Sequence, residues 1–190
     1  CGPGACDFTN RSAAKIESSP SIVHDGGRIG WISARSIEHI AAAPAAEKKY
    51  RIENDPKAVQ GAIRIAQPFP NRHHPDFMKA MVLNNLFGGF FGSRLMANIR
   101  EDKGYTYGIY SYLQNHTQQS AWLISTEAGK DVCEATIEEV YKEMKDLREE
   151  LVDEEEMLLV RNYMMGGLLG DLDGPFQIIG RWKNLVLNGL

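Results

Sequence analysis

Cysteine is scarce in this chain of 190 residues: only Cys1, Cys6 and Cys133 are present. Three thiols cannot all pair internally, which excludes a framework in which every cysteine is bridged. Free thiols are a simpler reading than a Cys1–Cys6 disulfide. Cysteine usage therefore leaves the compartment undetermined, with a soluble protein of the cytoplasm or periplasm as the expectation. No stretch approaches the ~20 apolar residues of a membrane span. The opening CGPGAC lacks the basic region and apolar core of a secretory signal. Positive charge is also short: 21 basic against 25 acidic residues leave −4, which argues against a general nucleic-acid surface. There is no initiator Met, and the chain stops inside the apolar helical pattern RWKNLVLNGL. Together these predict a fragment or processed product.

Several catalytic signatures are missing as well. The glycine-rich stretch GGFFGSR, Gly88 to Arg94, follows a predicted helix and is not closed by Lys-Ser/Thr, so it does not meet the phosphate-loop pattern. A helix terminator and backbone corner is the simpler reading. The five histidines are His24, His39, His73, His74 and His116, and no two stand at the i, i+4 spacing that HExxH and its inverse require. The nearest miss, Arg35-Ser-Ile-Glu-His39, puts a guanidinium where the first ligand should be, and a guanidinium does not ligate zinc. His73-His74 read as solvated residues at a helix start. No metal site is expected in this chain. Ser93 lies outside any strand-turn-helix elbow. The acidic runs Glu134/Glu138/Glu139/Glu143 and Asp153–Glu156 read as solvated helix faces.

What is present is an ordinary globular composition, 43% hydrophobic and 24% charged, with length for one well-cored domain. Residues 1–58 are punctuated by Gly, Pro and Ser, with a possible strand at Arg28–Ser33 and an Ala/Pro linker at Ala41–Ala46. They are expected to belong to the same domain as residues 59–190. From Val59 the pattern sharpens: VQGAIRIAQ alternates as a half-buried strand, and PFPNRHHP turns the chain. Pro75 is placed at the first position of a helix, with Asp76 in its first turn. Met78, Met81, Val82 and Leu86 form its stripe, and Gly88-Gly89 end it. A second helix is predicted over Ser93–Lys103, closed by a left-handed Gly104. YTYGIYSYL and SAWLISTEA read as antiparallel strands joined by the polar turn QNHTQQ.

Helical periodicity then takes over. Cys133, Ile137, Val140, Tyr141, Met144, Leu147 and Leu151 mark one helix face, with Tyr141 and Met144 expected to be buried against the sheet. Asp153, with Glu156 three residues on, caps the next helix, and Asp173 followed by Pro175 opens another. Strands first and helices after predict an α+β fold, a mainly antiparallel sheet with helices on one face.

One polar pair remains. Arg100 falls near the end of a predicted helix and Tyr107 early in the next strand, with a tight glycine turn between. Both side chains donate hydrogen bonds, so together they could hold a peptide carbonyl or an oxyanion formed from one. Spacing alone leaves an exposed helix arginine and a strand tyrosine as the simpler alternative.

The stretches VQGAIRIAQPFPNRHHPDF and LNNLFGGFFGSRLMANIREDKGYTYGIYS, with the charged helices after WLISTEAGKDV, resemble the M16 family of zinc metallopeptidases. That is the group of pitrilysin, insulin-degrading enzyme and mitochondrial processing peptidase. The likeness covers roughly two thirds of the chain and leaves residues 1–58 without a matching motif. It implies a half-domain of the M16 and LuxS-like type, facing a second half that carries HxxEH and binds zinc. There, a metal-bound water attacks the peptide bond. This chain resembles the non-zinc half, which should be inactive alone. Arg100 and Tyr107 match the pair that binds substrate backbone opposite the metal, and Gly88, Gly89, Gly92 and Ser93 would lie along the substrate path. The resemblance also implies a peptide held as an added strand, tolerant of sequence. Two alternatives stay open: an M16-like scaffold subunit without catalysis, and an unrelated α+β binding domain.

Overall fold

The computed structural model describes residues 23–25, 28–30, 49–53, 55–116 and 120–190. The Ala41–Ala46 linker and the Arg35–His39 near-motif lie outside them. The chain divides into two compact units, Cys1–Ala42 and Ala43–Leu190. In the first, strands β1 (Val23–Asp25) and β2 (Arg28–Gly30) pair antiparallel, with His24 opposite Ile29. The expected strand at Arg28–Ser33 is described only as far as Gly30.

The second unit is built on a three-stranded antiparallel sheet of β3 (Gln60–Phe69), β4 (Thr106–Gln114) and β5 (Ser120–Gly129), in the order β3-β5-β4. Alternation decides its faces. Ile63, Ile109, Ser111, Ile124 and Thr126 are buried on the helix side, whereas Arg64, Tyr110 and Tyr112 remain exposed. β3 runs two residues past the expected turn, through Pro68 and Phe69. A proline is tolerated there because β3 is an edge strand, so its missing N–H can fall on the unpaired side.

The helices α1 (Phe77–Asn84), α2 (Cys133–Glu149), α3 (Glu154–Asp171) and α4 (Pro175–Asn188) supply the second layer. α1 starts two residues later than Pro75 suggests, because Asp76 adopts φ −93°, ψ 7° and forms a turn with Pro75. Phe87, Leu95, Met96 and Ile99 close over Ile109, Ile124 and Val140 to make the main core. Each large side chain buried this way contributes roughly 1.5–3 kcal/mol of transfer free energy. A second cluster, Leu86, Phe90 and Val160, docks α3.

Two details of the long helix differ from the sequence reading. Val140 and Thr136 are its fully buried residues, while Tyr141 is 56% exposed and Met144 half-buried against the core. One residue advances a helix by about 100°, so Tyr141 is turned off the sheet. It lines a cavity of about 610 Å³ with Phe69, Leu83, Phe87, Trp122 and Met144. Leu151 is 99% exposed, because α2 ends at Glu149 and Glu150 is already extended. Asp153 does cap α3, its carboxylate accepting from the Glu156 N–H at 2.7 Å. Pro175 occupies the first turn of α4 after Gly174.

Candidate functional site

Arg100 sits on a short π-helix, Met96–Asp102, held down by Leu95, Met96 and Ile99, all fully buried. Its wide turn closes through the Lys103 N–H donating to the Asn98 carbonyl, five residues back. Gly104 then takes the left-handed conformation at φ 66°, as expected of a residue that can bear it without a Cβ clash. π-turns inside helices are often found at functional positions. The Asn98 amide anchors this one to α2 by donating to Glu139 and Glu143. Glu139 also meets Lys103 at 3.4 Å. Burial pushes the Glu139 carboxyl up, but Asn98, Lys103 and Lys142 together hold it below the usual carboxylate range.

Tyr107 owes its position to a β-bulge. Thr106 pairs with Ala128 and Ile109 with Thr126, so β4 spends one residue more than β5 over this step. A bulge re-aims side chains at the edge of a sheet. Here it leaves Tyr107 93% exposed. Two threonines tie the irregularity down: the Thr106 and Thr126 hydroxyls lie 2.8 Å apart, and Thr126 donates to the Gly108 carbonyl at 2.9 Å.

The two candidates meet. Arg100 Nε donates to the main-chain carbonyl of Tyr107 at 2.9 Å, and its Cζ lies 5.8 Å from the Tyr107 ring centroid. Glu101 approaches Nη1 at 3.6 Å. Among the described residues no hydrogen bond is made to Nη2 or to the Tyr107 phenol. The arrangement therefore offers two donor groups on one open surface, aimed by a main-chain contact rather than by each other.

The glycine-rich stretch runs beside them. Gly88 and Ser93 are buried, Gly89 is half-buried and Gly92 is exposed. Gly88 ends a π-turn, Asn85–Gly89, that continues α1. A Cβ there would come within 2.8 Å of the Ser111 backbone nitrogen and 2.9 Å of Leu95. Gly88→Ala should thus destabilise the domain by about 2 kcal/mol, within the usual range for overpacking, as read from the midpoint of urea unfolding. Arg94 fixes the far end of the stretch, making a two-pronged pair with Glu156 of α3 at 2.7 Å for each bond.

Sequence reasoning misses Phe91. Phe90 is extended, with φ −154° and ψ 176°, and successive side chains on extended backbone point opposite ways. Phe90 turns into the second core cluster and stacks on Tyr163 at 4.5 Å. Phe91 turns out, 55% exposed, and its ring lies 4.5 Å from Arg100 Cζ. The adjacent pair Phe-Phe in a glycine-rich loop is the signal available in sequence, since extended backbone cannot bury both. Among the described residues, no group of three or more His, Cys, Asp or Glu could hold a metal ion, and no helix is long and apolar enough to cross a membrane.

Comparison with known proteins agrees with this architecture. A Bacillus subtilis protein named uncharacterized zinc protease YmxG is 28% identical over 117 residues, which is 61% of this chain but 29% of the relative. The chain thus spans under a third of that relative's length. Among solved structures, the peptidase M16 inactive domain from Pseudomonas fluorescens superimposes with a TM-score of 0.64 at 23% identity, covering 70% of this chain and 32% of that one. A protease from Helicobacter pylori gives 0.64 at 14% identity, covering 69% and 32%. At these identities the structural likeness speaks for the fold. A family model described as the peptidase M16 inactive domain matches residues 8–164, reaching well into the first 58 residues. The chain belongs to the peptidase M16 family, as an inactive-type domain.

Proposed function

We propose that this chain is the non-zinc half of an M16-type zinc endopeptidase, and that Arg100 and Tyr107 hold the backbone of the substrate peptide. The observation that carries this is the exposed Arg100–Tyr107 pair, a guanidinium and a phenol with unspent donors side by side beyond a bulge. A structural salt bridge or core tyrosine would have spent them. The described residues do not fit a zinc ion, so the metal belongs to a partner half bearing HxxEH, whether on the same full-length chain or a separate subunit. This chain's part is to orient a carbonyl and to offset negative charge developing on it. Pre-aimed donors do this best in a site screened from water.

Peptide hydrolysis by this chain alone, by the HxxEH-bearing half alone and by the two together tests the reading. Activity is expected only from the combination, with metal analysis finding zinc on the partner. About one tightly held zinc per molecule of this chain alone, after dialysis, would overturn it. The scaffold alternative predicts that substitution of Arg100 leaves the assembled activity unchanged.

A further inference from the structure

We propose that Phe91 is a specificity-determining residue of this site, taking an aromatic or large apolar side chain of the peptide whose carbonyl Arg100 and Tyr107 hold. The inference rests on the peptide-binding reading above and adds the substrate class to it. Phe91 stands on a turn that cannot easily move. The Ser93 N–H donates to the Phe90 carbonyl at 3.2 Å, Phe90 is sunk into the Leu86–Val160 cluster, and a Cβ at Gly92 would meet the Phe90 ring at 2.8 Å. The ring of Phe91 is therefore presented, not loose. It flanks the Arg100 guanidinium, 4.5 Å from Cζ, with the Tyr107 ring 5.8 Å from the same atom.

A polar donor between two solvent-exposed aromatic rings is a mixed surface of defined chemistry. Cation–π contact steadies the guanidinium, while more than half of the Phe91 surface stays open to water. A peptide that brings a carbonyl to Arg100 also brings the side chain one residue away to these rings. An aromatic or large apolar side chain gains by covering them, and a small one leaves them wet. Apolar contacts of this size discriminate between substrates by about 10- to 200-fold.

The test uses the full-length protein together with its HxxEH-bearing half, and two peptides identical except for Phe or Ala beside the cleaved bond. Phe91→Ala should lower kcat/KM about 10-fold for the Phe peptide and less than about 3-fold for the Ala peptide. Phe91→Trp should restore the preference. The thermal midpoint should stay near that of the unsubstituted protein, because the ring is already exposed. Equal losses on both peptides, or none on either, overturn the proposal. Arg100→Ala separates the two levels. If it lowers turnover of both peptides while Phe91→Ala does not discriminate, only the role of Phe91 fails; if it leaves both unchanged, the peptide-binding reading fails with it.

Discussion

Arg100→Ala in the assembled peptidase is expected to cut peptide hydrolysis about 100-fold, with zinc content and folding intact. Losing one pre-aimed donor to a developing oxyanion costs ~3 kcal/mol in comparable sites, which is about two decades in rate. Folding should survive because the guanidinium touches exposed groups: the Tyr107 carbonyl, the Phe91 ring and Glu101. Arg100→Lys should also be poor. An ammonium cannot bond the Tyr107 carbonyl and present a further donor in the same planar fork. Tyr107→Phe should act through the phenol alone, since the carbonyl that aims Arg100 is main chain. Initial rates, metal content and a melting curve for each variant check this. A guanidinium that served only as a surface residue would be worth under ~0.5 kcal/mol, and its loss would be silent in the rate.

The second large effect is on stability. Val140→Asp should unfold the domain. Val140 is 0% exposed and packs in the cluster that joins α2 to the sheet and the π-helix. An unpaired carboxylate there costs several kcal/mol, comparable to the ~5–15 kcal/mol that holds a whole domain. Met144→Asp, one helical turn along and half-buried beside the cavity, should be milder, because water reaches that side. Circular dichroism with thermal melting separates the two. A Val140→Asp protein melting at the temperature of the unsubstituted chain would show that α2 presents another face to the sheet.

Local chemistry is what the sequence states most clearly. Asp153 caps α3 and Gly104 turns left-handed because each needs only its immediate neighbours. The β4–β5 hairpin is legible from the alternation of Ile109 and Ser111 with Tyr110 and Tyr112 and from the polar turn after it. Arg100 and Tyr107 are legible as a spacing, and the structure brings them together. Features set by distant partners are not legible. Apolar residues at 95, 96 and 99 suit an α-helix as well as the π-helix that forms. Glu156 reads as a local capping partner, yet its side chain reaches Arg94, 62 residues earlier. Tyr141 and Met144 share a helical stripe, but the stripe is wider than the sheet contact. Phe91 is invisible until Phe90 is seen to take the inner side.

The extra residue in β4 acts as a phase shift in the strand. Counting back from inward-facing Ile109 by strict alternation, position 108 would face out and position 107 would aim at the helices. The insertion between Thr106 and Ile109 reverses that parity for Tyr107 alone, leaving every residue from Ile109 onward in register with β5. The seven-residue interval between Arg100 and Tyr107 is therefore a count of both a helix ending and a strand offset. Deleting Gly108 would restore the ladder's regular beat, improving the pairing while swinging the phenol toward the sheet's covered side. A better-paired strand and a poorer peptide site would come from the same one-residue deletion.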